Sequence, residues 1–244
     1  MSVTLNLARN EWRLLRREPL LLFFGLCFPL LLLVVMGVAS DGPDKDLGGI
    51  SLVQAYVPIL IGFTLAMLGI SALPTALSVY RERGVLRRLA TTPVQPWRLL
   101  SAHLLLDTAL AVGSVVVVLV VAGVAFGVDM PGQGLGFVLA FVLSAAALFS
   151  IGTVIASVAP TARTANAIGT LTFFPLMFFA GLWIPREAMG DTLRTISDAT
   201  PLGAGVGALQ DAMAGTFPGA VHLLVLAAWA VAGVLLATRL FRWE

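Results

Sequence analysis

Residues 81–93 read RERGVLRRLATTP. Five of the first eight are charged: Arg81, Glu82, Arg83, Arg87 and Arg88. They stand in a chain of 244 residues that is 59% hydrophobic and only 11% charged. Drawn as a helix, the stretch puts Val85, Leu86 and Leu89 on one face and rings the rest with charge. Thr91, Thr92 and Pro93 stop it, and Pro96 opens the next segment. Gly84 permits a bend or a close approach near its start. Long apolar runs lie on either side, and what they are decides what the stretch can do.

Soluble domains carry about 25% charged residues. At less than half that, and with a mean hydropathy of +0.97, the chain reads as a polytopic membrane protein. A helix needs about 20 apolar residues to cross a bilayer. Six runs fit: 20–39, 52–77, 104–126, 135–159, 167–184 and 220–238. Pro58 and Pro74 predict kinks in the second. No small-residue cleavage site follows the first run, so it reads as a span rather than a cleaved signal. The single cysteine, Cys27, excludes an intrachain disulfide. The expected fold is all-α, one transmembrane domain over residues 1–244 with no internal repeat and no soluble domain.

Basic residues orient such a protein. With the N-terminus inside, the inner segments hold twelve arginines: 9, 13, 16, 17, 81, 83, 87, 88, 98, 163, 239 and 242. The outer segments hold three basic residues, Lys45, Arg186 and Arg194, and most of the acids. Both termini are therefore expected in the cytoplasm, with the chain multi-pass in the cell membrane. Residues 1–18 are too polar to span. Leu5, Ala8, Trp12 and Leu15 share a face, as an amphipathic helix lying in the interface would require. The outer segment 185–219 holds two apolar stripes. Met189, Leu193 and Ile196 form one, and Leu202, Val206, Leu209 and Met213 the other, with Pro201 between them. Two short helices re-entering the membrane, packed against protein, fit this pattern; two helices lying flat on the outer surface are the alternative.

The chemistry that is missing narrows the function. The only lysine is Lys45, so no GxxxxGK[ST] phosphate loop exists. There is no HExxH, GxSxG or CxxC. No catalytic residue, metal site or cofactor is expected on this chain, and no nucleic acid among its partners; membrane lipid is one. His222 reads as an ordinary interfacial histidine. His103 and Asp107, four apart, share a face near the inner end of the third span. An acid within a span is a functional candidate. The pair is either a proton-handling or substrate-contacting site, or a snorkelling or arginine-paired group at the interface.

Positive-inside arginines explain the charge of residues 81–93, but not the apolar ridge and sharp stop, which suit docking into a groove of a soluble partner. Here the sequence resembles the membrane subunit of type-2 ABC exporters. That family's loop between spans two and three is matched by Glu82, Arg83, Gly84, Leu86, Arg87, Arg88, Leu89, Ala90, Thr92, Pro93 and Trp97. A second match is Phe174, Pro175, Gly181, Pro185, Pro201 and Leu202, where the family carries its re-entrant outer helices. The resemblance covers essentially the whole chain. It implies that 81–93 is a coupling helix seated in a cleft of a separate ATPase. Arg81, Glu82, Arg83, Gly84, Val85, Leu86, Arg87, Arg88 and Leu89 would then form the contact. ATP and Mg would belong to that ATPase, present in two copies. The permease would be a dimer, homomeric or with a second permease.

Phe24, Phe28, Phe63, Met67, Phe174, Met177 and Phe178 are candidates for the substrate path. They predict an apolar route for an amphiphilic drug, peptide or lipid-linked molecule, as in antibiotic-resistance exporters. A polysaccharide exporter of the same family is an alternative. So is a proton-driven secondary transporter using Asp107, and a non-transporting structural protein is a third. Gly136, Ala140 and Ser144 form a row of small residues in span four, serving either a contact within the subunit or a dimer contact.

Overall fold

The computed structural model describes residues 22–39, 50–85, 97–186 and 189–240. Within them the chain is all-helical. Helix α1 is Phe23–Ala39 and opens on a π-helical turn, Phe23–Cys27. Helix α2 is Leu52–Glu82, α3 Trp97–Phe126, α4 Gly134–Val158 and α5 Ala162–Ala180. Two short helices follow, α6 Asp191–Ala199 and α7 Pro201–Met213, and α8 is Ala220–Leu240. Among the described residues, α2, α3, α4 and α8 are long and apolar enough to cross a membrane. The interfacial helix expected over 1–18 lies outside the described residues.

Helix α2 is the centre of the molecule. It packs against α1, α3, α4, α5 and α7, and 83% of its apolar window is buried, against 28% for α3 and 11% for α8. In water that order would be untenable, because exposed apolar surface costs free energy. In lipid the penalty vanishes, so α3 and α8 carry bare valine and leucine outward, such as Val124, Leu224 and Val231. The buried core runs through Val57, Leu60, Leu65 and Leu68 of α2 to Leu148 of α4 and Leu209 of α7.

The kinks expected at Pro58 and Pro74 take a different form. Helix α2 continues through Pro58, and its irregularity is a π-helical segment, Met67–Ala72. There Leu73 N–H donates to the carbonyl of Leu68, five residues back. Pro74 has no N–H to give, which leaves the Ile70 carbonyl without its usual helical donor. The neighbours close on this point. A Cβ at Gly152 of α4 would fall 1.8 Å from the Gly69 carbonyl oxygen, and one at Gly169 of α5 would fall 2.6 Å from that of Ile70. Only glycine lets α4 and α5 approach there.

Helix limits also differ from the hydropathy reading. The second apolar run was expected to end at 77, with a separate helix from 81. Instead α2 absorbs Arg81 and Glu82 and stops at Gly84, whose φ of +66 turns the chain into the left-handed region. Helix α5 starts five residues before the expected 167. Thr161 caps it by accepting from Thr164 N–H at 3.1 Å. It ends before the expected 184 because Gly181, at φ +98, caps it in the left-handed conformation. Helix α3 starts at Trp97 rather than 104.

Candidate functional site

A cavity of about 550 Å³ lies between α1, α2 and α5. Phe24, Phe28, Phe63, Met67 and Phe174, five of the seven residues expected to line a path, are on its wall. Their rings form a chain. Phe28 meets Phe63 at 5.1 Å, Phe63 meets Phe173 at 5.6 Å, Phe173 meets Phe174 at 5.8 Å, and Phe174 stacks on Trp183 at 6.3 Å. The other two stand apart. Met177 is wholly buried in the core, and Phe178 pairs with Phe179 outside the lining. Hydropathy missed Tyr56, whose hydroxyl donates to the Leu182 carbonyl at 3.1 Å. It also missed Ser71, Asn166 and Thr170, which line the cavity toward the Arg81 end of α2. One signal was available: Asn166, Thr170 and Phe174 are spaced by four and so share a face of α5. Among the described residues, the lining carries no charged side chain. A second, larger groove of about 630 Å³ between α3, α4 and α8 contains none of the expected site residues.

The Arg81 end of α2 is tied to the turn between α4 and α5. Arg81 Nη1 donates to the Ala159 carbonyl at 2.8 Å. Glu82 Oε1 accepts the Ala162 N–H, the first of α5, at 2.9 Å. A carboxylate at a helix N-terminus meets free N–H groups and the positive end of the helix dipole. Arg83 and Gly84 form the turn that leaves α2, and Val85 beyond it is helical again. Leu86, Arg87, Arg88 and Leu89 lie outside the described residues.

His103 and Asp107 are both buried, 7% and 1% exposed, on the inward face of α3. Their Nε2 and Oδ2 are 3.6 Å apart, and the Tyr80 ring of α2 stands edge-on to His103 at 6.3 Å. The row Gly136, Ala140 and Ser144 packs within the chain. A Cβ on Gly136 would strike Pro218, and one on Gly205 of α7 would strike the Ser144 hydroxyl.

The most elaborate polar assembly went unnoticed in the sequence. Arg186, 2% exposed, donates through Nε to Gln210 Oε1 at 3.2 Å and through Nη1 to the Gly203 carbonyl at 2.9 Å. Nη1 also reaches Ser197 Oγ, and Nη2 reaches Asp198 Oδ1 at 2.5 Å. His222 bridges two carboxylates, Nε2 lying 3.3 Å from Asp198 and Nδ1 3.3 Å from Asp211. Burial pushes the Asp198 carboxyl up. Hydrogen bonds and charge from Arg186, with His222 behind them, outweigh this and hold it below its usual value. The network joins α5, α6, α7 and α8. Of the first apolar stripe, Met189 is buried and Leu193 half-buried, but Ile196 faces outward. The buried residue on α6 is Ser197, donating to the Phe179 carbonyl at 2.5 Å, while Ile196 is 44% exposed. Helix α7 is enclosed on nearly every side rather than along one stripe, because Gly203, Gly205 and Gly207 let neighbours in.

Residues 3–214 match the ABC-2 type transporter family. The match spans most of the chain, so the protein belongs to that family. It is a multi-pass membrane protein and a transmembrane, non-catalytic component of an ABC transporter, a class that works with an ABC ATPase. The comparison with curated proteins gave no match.

Proposed function

We propose that this chain is the permease of an ATP-driven exporter, working as a dimer with two separate ATPase subunits. The segment that follows the turn at Gly84, up to Pro93, couples to the ATPase, and both termini face the cytoplasm, as the arginine distribution favours. The substrate is an amphiphilic drug, peptide or lipid-linked molecule. One observation supports this most: the ring-lined cavity between α1, α2 and α5, uncharged among the described residues and suited to a molecule with an apolar body and few polar groups. The short helices α6 and α7 enter the outer leaflet as a re-entrant pair, and the enclosure of α7 by protein supports this. ATP is bound and hydrolysed on the partner, in keeping with the missing phosphate loop.

The test is transport into inverted vesicles holding this chain and its ATPase. ATP-dependent uptake of an amphiphilic dye that falls with Phe28→Ala supports the reading; uptake independent of ATP overturns it. A second reading rests on the buried His103–Asp107 pair: proton-driven transport through Asp107. Loss of uptake in Asp107→Asn, with ATP dispensable, selects that one.

A further inference from the structure

We infer that Arg81 and Glu82 act as an internal latch, passing motion of the coupling segment to α5, and are not contacts to the ATPase. This deepens the proposed function and rests on it. Both side chains bond to their own chain, Arg81, half-buried, to the Ala159 carbonyl at 2.8 Å and Glu82, itself exposed, to the Ala162 N–H at 2.9 Å. They are the last residues of α2 before the chain turns at Gly84 toward 86–93. A pull on that segment therefore loads the end of α2 first. The latch carries it to the first residue of α5, one turn (about 6 Å) before Asn166 on the cavity wall. A second contact, Gly169 against the Ile70 carbonyl, fixes the same two helices further along. Between the two contacts, residues Leu73–Glu82 and the first two turns of α5 form one unit.

The bond can be removed from either side. Glu82→Ala removes the acceptor. Ala162→Pro removes only the donor: proline suits the first position of a helix, and Thr161, at φ −135 and ψ 157, already has the extended backbone proline demands of its predecessor. Glu82→Gln keeps an acceptor oxygen but loses the charge. Each variant is purified with its ATPase, and three quantities are read: ATPase retained, ATP hydrolysed and substrate moved. The latch predicts wild-type ATPase retention in all three. Transport per ATP falls about fivefold in Glu82→Ala and in Ala162→Pro, which is what one lost hydrogen bond is worth. The double variant is no worse than either single one, and Glu82→Gln stays near wild type. Release of the ATPase by both Glu82→Ala and Glu82→Gln, with Ala162→Pro normal, makes Glu82 a partner contact and overturns the latch. Unchanged transport per ATP in Glu82→Ala overturns it too. Failure of the wild-type chain to retain any ATPase sinks the coupling reading itself.

Discussion

Phe174 and Met177 stand three residues apart on α5, yet Phe174 is 55% exposed at the cavity wall and Met177 is fully buried. Their substitutions separate transport from folding. Phe174→Ala is expected to leave stability within about 0.5 kcal/mol, as exposed changes do, and to raise the KM for an amphiphilic substrate. Met177→Ala is expected to cost about 2–5 kcal/mol, the usual range for emptying a core site, and to lower transport only through the amount of folded protein. Thermal unfolding in detergent and uptake normalised to folded protein distinguish the two.

Arg186 and its partners carry a second prediction. Removing the guanidinium with Arg186→Met leaves Asp198 without its main partner and three further acceptors unserved. Breaking a buried pair in this way costs about 3–5 kcal/mol. Arg186→Lys restores little, because an ammonium cannot reproduce the fork that reaches Gln210, Gly203 and Asp198 together. The midpoint of thermal unfolding reads both.

Asp198 sets an acid limit. Its carboxyl is held below the ordinary value in the folded chain, so the unfolded chain takes up the proton first as pH falls. The stabilisation is complete above the unfolded value of about 3.9 and is lost as pH drops through the lower folded value. Stability is therefore expected to be insensitive to this group from neutral pH down to about 4 and to decline below. In Asp198→Asn that part of the decline disappears. Unfolding midpoints of the two proteins between pH 7 and 3 make the comparison.

The glycine contacts around Met67–Ala72 give a graded test. Gly152→Ala places a methyl 1.8 Å from a backbone oxygen, and Gly169→Ala one 2.6 Å away. Neither oxygen belongs to a flexible side chain, so the helices must separate. Overpacking of this kind costs about 1–3 kcal/mol or more. Gly152→Ala is expected to be the more damaging, read as the fraction of chain recovered monodisperse from membranes.

Much of the fold is legible in the sequence because lipid rewards long apolar runs, and each described helix longer than 15 residues overlaps one. What hydropathy could not rank is burial. Helix α8 meets lipid and α2 meets protein, and both environments accept the same side chains. Helix limits escaped for local reasons: Arg81 and Glu82 are charged and so read as the start of a separate helix, although their hydrogen bonds to Ala159 and Ala162 let α2 continue to them. The polar network was invisible because Arg186, Asp198, Asp211 and His222 are ordinary residues for an outer segment. Only tertiary folding brings them together across separations of 11 to 24 residues. The cavity was half legible. Aromatic richness pointed to Phe28 and Phe63, while Asn166 and Thr170 have no hydropathy signal and emerge only from their spacing with Phe174.

Copurification is the sharpest test of whether this ABC-2 protein draws its energy from a separate ATPase through the segment between Gly84 and Pro93. The chain, tagged at its C-terminus, is extracted from native membranes in mild detergent, and what accompanies it in fixed ratio is identified. The expected companion is a soluble protein with a phosphate loop, lost when Leu86 and Leu89 are both changed to Asp while the permease still inserts. A chain that purifies alone, or an ATPase that stays bound to the double variant, contradicts this coupling.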